Sequence, residues 1–236
     1  MSEDAVIWHD LECGTYAADL PLWRELAFAH AAGPILEVGA GTGRVALDLA
    51  TRGQRVIALE RDEALAHELK RRARDLPIDV LCADACDFAL EQRVSLCIVP
   101  MQTVQLLDDR GAFFRCARAA LVPGGVLALA LLGEGVQPFS VELEADVLER
   151  GGVRYTSTPT ALRQTTATVV IERRRRAEGE AVEYASLDVV TLQQLDAATV
   201  LAETVPSGFA LHGVSSIPPT TEHVGSAVLL LSAVAP

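Results

Sequence analysis

Three glycines at alternate positions, Gly39, Gly41 and Gly43, follow the short run Ile35-Leu36-Glu37-Val38 and lead into an amphipathic helical pattern. This stretch constrains the fold more than any other in the chain. A backbone without Cβ atoms between a strand and a helix lets a bulky ligand lie directly on the turn. The fingerprint for dinucleotides is G-x-G-x-x-G. Here the third glycine arrives one residue early, and Glu37 stands two residues before the first. An acid at that place favours a ligand with a cationic group over one with an anionic pyrophosphate. A plain turn that uses glycine for close packing needs fewer than three of them.

Around this loop, strand-sized apolar runs at 35–38, 55–59, 78–82, 94–99 and 126–132 alternate with helical patterns near 43–52, 62–74 and 109–121. That rhythm predicts a parallel, doubly wound α/β sheet. Pro123-Gly124-Gly125 reads as a sharp turn feeding the fifth strand. A helix is expected over 17–32, with Asp19 as N-cap and Pro21 in its first turn. Residues 1–32 then form an N-terminal cap region.

After residue 135 the pattern changes to Val-, Thr- and Tyr-rich stretches at 153–158, 164–175 and 181–190, with a hairpin connection at 176–180. We read 138–190 as an antiparallel insertion or lid of a single domain spanning 1–236, because about 50 residues make a poor core alone. The arginine run 173–176 reads as the solvated end of that hairpin. A helix over 191–204 and strands near 208–214 and 224–234 complete the chain.

The chain has 236 residues, half of them apolar, and a net charge of −12. Phosphate neutralisation supplies much of the affinity of nucleic-acid binders, so this balance argues against DNA or RNA. No apolar stretch reaches the roughly 18 residues of a membrane span, and Met1-Ser2-Glu3-Asp4 is no signal peptide. A cytoplasmic protein is expected. The five cysteines read as free thiols in a reducing compartment. Cys82 and Cys86 have no second Cys/His pair at ligand spacing, so no metal site is expected.

Two further acids follow strands. Glu60 ends the second strand, where a carboxylate can accept both ribose hydroxyls of a nucleoside. Asp84 follows the third and can accept an adenine amine, while Asp87 reads as a turn residue. Taken together, the glycine motif, Glu60, Asp84, the Pro123-Gly124-Gly125 turn and the strand pair that Gly208-Phe209 opens resemble the class I S-adenosylmethionine-dependent methyltransferases of the small-molecule type.

The resemblance implies a seven-stranded sheet, mostly parallel with the last strand antiparallel. It also implies S-adenosylmethionine as cofactor. Glu37, Gly39, Ala40 and Gly41 would lie at the methionine end, Glu60 and Arg61 at the ribose, and Asp84 and Ala85 at the adenine. Pro100 and Met101 would border the methionine moiety, and Tyr16 the cap. Gln105 is expected either nearby or exposed on the next helix. Strand four ends in Pro100-Met101-Gln102-Thr103, which lacks both the acids of metal-dependent O-methyltransferases and the Asn/Asp-Pro-Pro-aromatic motif of nucleobase N-methyltransferases. That departure favours metal-independent transfer to the N, O or C atom of a small molecule.

Displacement at a sulfonium requires alignment and exclusion of water more than it requires acid–base chemistry. Tyr16, His9 and His223 are the candidate catalytic groups; Trp8 and Trp23 read as packing anchors, and His30, His67 and His212 as structural or exposed. Thr156, Thr158, Arg163 and Tyr184 are candidates to line the insertion, which serves as a lid or as an oligomer contact, leaving a homodimer open. The competing readings are a non-catalytic module that binds the same cofactor and an NAD-dependent oxidoreductase.

Overall fold

The computed structural model describes residues 2–133, 136–220 and 223–234. Two helices, α1 (Ser2–Cys13) and α2 (Leu20–Ala29), come first. An alternating series follows: β1 (Ile35–Val38), α3 (Arg44–Thr51), β2 (Val56–Glu60), α4 (Glu63–Arg72), β3 (Ile78–Cys82) and β4 (Val94–Val99). A 3₁₀ turn at Thr103–Leu106, α5 (Arg110–Ala120) and β5 (Leu121–Leu132) complete this half. Then come β6 (Asp146–Arg150), β7 (Val153–Gln164), β8 (Thr168–Gly179) and β9 (Val182–Gln193), and finally α6 (Ala197–Thr204), β10 (Phe209–Ile217) and β11 (Ser226–Ala233).

The main sheet has seven strands in the order β10-β11-β5-β4-β1-β2-β3. Strand β11 runs antiparallel to both neighbours, and the other pairs are parallel, as the sequence implies. Strands β1 and β2 are buried at every position and β4 at all but one, which is why they read as near-continuous apolar runs. Alternate side chains feed two cores. Leu36, Val38, Phe113, Phe114 and Leu127 fill one face, and Ile35, Val45, Leu49, Leu96 and Ala128 the other. After β3 the chain returns to the opposite side of β1, so the crevice at the carboxyl ends of β1 and β4 is the switch point where ligands bind in such sheets.

The N-terminal region departs from expectation. It holds two helices, and α1 lies upstream of the stretch read as helical. That helix is apolar on more than one side, because Val6, Ile7, Trp8 and Leu11 are all buried, so no single stripe marks it. Asp19 makes no capping bond. Its carboxylate instead accepts from Trp23 Nε1 at 2.8 Å and from Arg44 at 2.6 and 2.7 Å.

The insertion forms a separate antiparallel sheet, β6-β7-β8-β9. Its central hairpin turns after Gly179 rather than over 176–180. The arginine run 173–176 therefore sits inside β8, paired with both neighbours, and is not a solvated end. Counter-charges at regular spacing hold it there: Asp146 for Arg173, Glu142 for Arg174, and Glu12 and Asp188 for Arg175. Strand β9 runs on to Gln193, and the helix expected from 191 begins at Ala197, capped by Asp196. Pro123-Gly124-Gly125 lies within β5, where the pairing of Val94 with Leu121 jumps to Leu96 with Val126.

Gln105 is neither beside a ligand nor exposed. At 1% exposure its amide accepts from Leu132 N at 2.6 Å and donates to Gln193 O at 2.7 Å, joining β5 to β9. Gln105→Met keeps the volume but leaves both backbone groups unpaired. We expect it to destabilise the fold by about 1–3 kcal/mol for each stranded group, read as a lower urea midpoint.

Candidate functional site

The glycine loop is built onto the end of β2. Leu59 O accepts from Gly39 N at 2.9 Å and from Ala40 N at 3.0 Å, and Glu60 Oε2 accepts from Gly41 N at 2.8 Å. The other Glu60 oxygen accepts from Asp62 N at 2.9 Å. All three glycines have positive φ, at 73°, 56° and 100°. The space that glycine leaves is taken by the protein itself. A Cβ on Gly39 would lie 2.6 Å from the Thr103 side chain, and one on Gly41 would lie 2.2 Å from His9 Nε2.

Above this loop lies a cavity of about 700 Å³. It brings together Glu37, Gly39, Ala40, Glu60, Arg61, Asp84, Ala85, Pro100 and Met101 from the expected set. Gly41 and Tyr16 are not on its wall. Gly41 is covered by His9, and Tyr16 is buried with its ring between Arg44 at 5.1 Å and His223 at 4.5 Å. Asp84 also closes its own turn, accepting from Cys86 N at 2.7 Å. Thr221 and Glu222, the neighbours of His223, lie outside the described residues.

Glu37 is the electrostatic centre of the site. It is 2% exposed, and its Oε2 has no hydrogen-bond partner. Burial pushes its carboxyl up to about 8, against the pull of the Arg44 guanidinium. Arg44 opens α3, lines the cavity and is held by Asp19 and the Tyr16 carbonyl. Sequence reasoning missed it, although its place directly after the third glycine was a signal.

His9 belongs to α1, which packs over the loop. Thr42 donates its hydroxyl to Asp10 at 2.7 Å, so it can only accept from His9 Nδ1 at 3.2 Å. That assigns the proton to Nδ1. Burial also lowers the His9 pKa and keeps the ring neutral. Cys13, on the same helix, reaches the cavity, but burial and then the Glu12 carboxylate push its thiol up to about 11, so it is no nucleophile. His223 also lines the cavity, beside the end of α1, with Nε2 3.4 Å from the Glu12 carbonyl.

Met101 and Gln102 adopt left-handed backbone, with φ of 49° and 60°. Residues other than glycine pay for that conformation, and it concentrates at functional sites. Gln102 bonds Ser226 at 2.7 Å, holding the end of β4 to β11. The sequence gives no sign of this strain.

The lid contributes Pro159, Leu162, Ile171, Arg173, Val190 and Leu192 to the wall. The four insertion residues named from the sequence do not reach it. A register shift between Pro159 and Ala161 resets which side chains of β7 point inward, and Arg163 bonds Glu172 on the exposed side. Trp8 meets the lid rather than the cavity, with Tyr155 at 5.5 Å and Arg175 over its ring.

An acid whose neutral form the fold favours stabilises the fold below its unfolded pKa, and that contribution fades as pH rises through the folded value. For Glu37 the window runs from the ordinary carboxylate range to about 8. Glu37→Gln should therefore be more stable than the parent at pH 8, with the gap closing below pH 5, as read from urea midpoints across that range.

The family model described as a methyltransferase domain matches residues 35–125. A malonyl-[acyl-carrier protein] O-methyltransferase of Geobacter sulfurreducens is 38% identical over 117 residues, covering 47% of this chain and 43% of that protein. Ribosomal RNA small subunit methyltransferase A of Deinococcus radiodurans is 38% identical over 76 residues, covering 31% of this chain and 26% of that protein. The chain thus spans less than half the length of these relatives. Among solved structures, the S-adenosylmethionine-bound amino pentose methyltransferase of Micromonospora echinaspora superposes with a TM-score of 0.73 at 16% identity, covering 96% of each chain. Residues 35–125 thus match a methyltransferase-domain model, and the chain as a whole has the fold of the class I S-adenosylmethionine-dependent methyltransferases.

Proposed function

We propose that the protein transfers a methyl group from S-adenosylmethionine to a small-molecule acceptor without using a metal. The observation that carries this reading is the unpaired, buried oxygen of Glu37 beside the clamped glycine loop. A buried carboxyl oxygen without a partner is costly, and a cationic ligand group relieves that cost. The residues present therefore fit the cofactor. Glu37, Gly39 and Ala40 would hold its methionine end, Glu60 and Arg61 its ribose, and Asp84 and Ala85 its adenine.

When bound, S-adenosylmethionine supplies a methyl group already made electrophilic by its sulfonium. The work left to the chain is to orient the partners and exclude water. Helix α1 covers the loop through His9, and the lid closes the far side with apolar side chains. Of the three candidate catalytic groups, His9 and His223 line the cavity, and His223 Nε2 donates to the Glu12 carbonyl, so that nitrogen does not serve as a base. His9 is held by Thr42 over Gly41, and Tyr16 is off the wall. A base is useful to a phenol or carbon acid, whereas an amine needs only its lone pair free.

A net charge of −12 speaks against a nucleic-acid acceptor, although two relatives act on RNA by their names. Among the described residues no helix is long and apolar enough to cross a membrane, and the free cysteines suit a cytoplasmic location. Leu187 and Val189, exposed on β9, are the place we assign to contact between two copies in a homodimer.

Calorimetric titration tests the cofactor assignment. S-adenosylmethionine should bind and NAD should not; the reverse result ends the proposal. Glu60→Ala should weaken binding by about 1–3 kcal/mol, the scale of a charge-assisted hydrogen bond. Gly41→Val should abolish it, because the branched side chain meets His9 and the left-handed backbone resists it. Affinity should rise from pH 6 to pH 8 as Glu37 ionises, and Glu37→Gln should remove that rise.

A further inference from the structure

The lid's side of the cavity differs in chemistry from the loop's side. Leu106, Leu143, Pro159, Leu162, Ile171 and Leu192 face the opening without a polar side-chain atom among them. Val136, Phe139, Ile171, Val190 and Val224 belong to one apolar cluster and yet are only partly buried. Apolar side chains left half covered inside a cavity gain most from an apolar ligand that covers them.

A sugar ring linked to a nucleotide would fare poorly there. Its hydroxyls need partners, and a desolvated hydroxyl without one costs more than it gains. A diphosphate needs guanidinium groups or a helix N-terminus. The arginines on the cavity wall are Arg44, Arg61 and Arg173, against Glu12, Glu37, Glu60 and Asp84. Arg44 is bound to Asp19, Arg173 is bound to Asp146 at 2.9 Å, and Arg61 stands next to Glu60 on the cofactor's side. Among the described residues, the wall toward the lid offers no cluster of cations. Gln137, Thr220 and His223 also line this part of the wall, and Thr220 Oγ1 and His223 Nε2 are engaged with the His223 backbone N–H and the Glu12 carbonyl.

We infer that the acceptor has an apolar body seated on the lid, and that it is not a nucleotide-linked sugar. This rests on the methyltransferase reading of the loop's side.

The test uses the whole protein saturated with S-adenosylhomocysteine and titrated by calorimetry with 2-naphthol and, separately, with uridine diphosphate glucose. We expect 2-naphthol to bind at one site with a negative heat-capacity change, the mark of apolar burial, and the nucleotide sugar to give no heat. Leu106 and Leu143 are 44% and 45% exposed at the cavity wall, so Leu106→Lys and Leu143→Lys should fold normally, as checked by circular dichroism. Each should weaken 2-naphthol at least tenfold and leave S-adenosylhomocysteine affinity within twofold. Binding of the nucleotide sugar, no binding of 2-naphthol, or 2-naphthol affinity unmoved by both variants overturns the inference. If S-adenosylhomocysteine fails to bind while 2-naphthol binds and responds to both variants, the cofactor assignment falls and the apolar chamber stands.

Discussion

Three successive backbone N–H groups of the glycine loop are donated to the last two residues of β2, and the rest of the site is arranged around that attachment. A loop with this much glycine has many conformations open to it. The bonds to Leu59 O and Glu60 Oε2 select one, and they do so with the residue that also faces the cavity. Glu60 thereby shapes the loop while standing on the cavity wall. The fixed loop in turn sets the start of α3, which places Arg44 against Asp19 and brings it near Glu37.

Helix α1 adds a second tie between the body and the lid, beside the bonds that Gln105, Leu107 and Arg110 make with Gln193. Asp10 reaches α4 through Arg72 and the loop through Thr42, while Glu12 reaches the lid through Arg175 and Ser157. The helix is therefore a bracket between the body and the lid, and its buried apolar side chains pack in both directions. Surface ion pairs are weak as a rule. These connect elements that close one cavity, so their value is in holding that geometry.

The sheet and the glycine loop were legible because each depends on local chemistry. Fully buried parallel strands must be apolar along their length, and a left-handed turn covered by Thr103, His9 and Leu69 must spare its Cβ atoms, so β1, β2, β4 and residues 39–43 announce themselves. The lid was legible as strands but not in register. Which residues of β7 face inward depends on the irregularity at Pro159, and an offset of one residue exchanges the two faces. Helix α1 was hidden because it is packed on several sides. Arg44, Gln105 and the strain at Met101 and Gln102 depend on long-range partners that no local pattern encodes.

The four arginines in the middle of β8 act as a key for the lid. Because side chains alternate, Arg173 and Arg175 meet Asp146 and Glu12 on the inner face, while Arg174 meets Glu142 on the outer one. Sliding β8 by a single residue would turn Arg174 toward the cavity and strip Glu12 and Asp146 of their partners, leaving buried charge uncompensated. A two-residue slide would keep the faces but mismatch the spacing of the acids. The run that looks in sequence like a solvated tail thus works as a ratchet tooth, making the alternative pairings of a long, flat hairpin unfavourable and leaving one arrangement for the chamber roof.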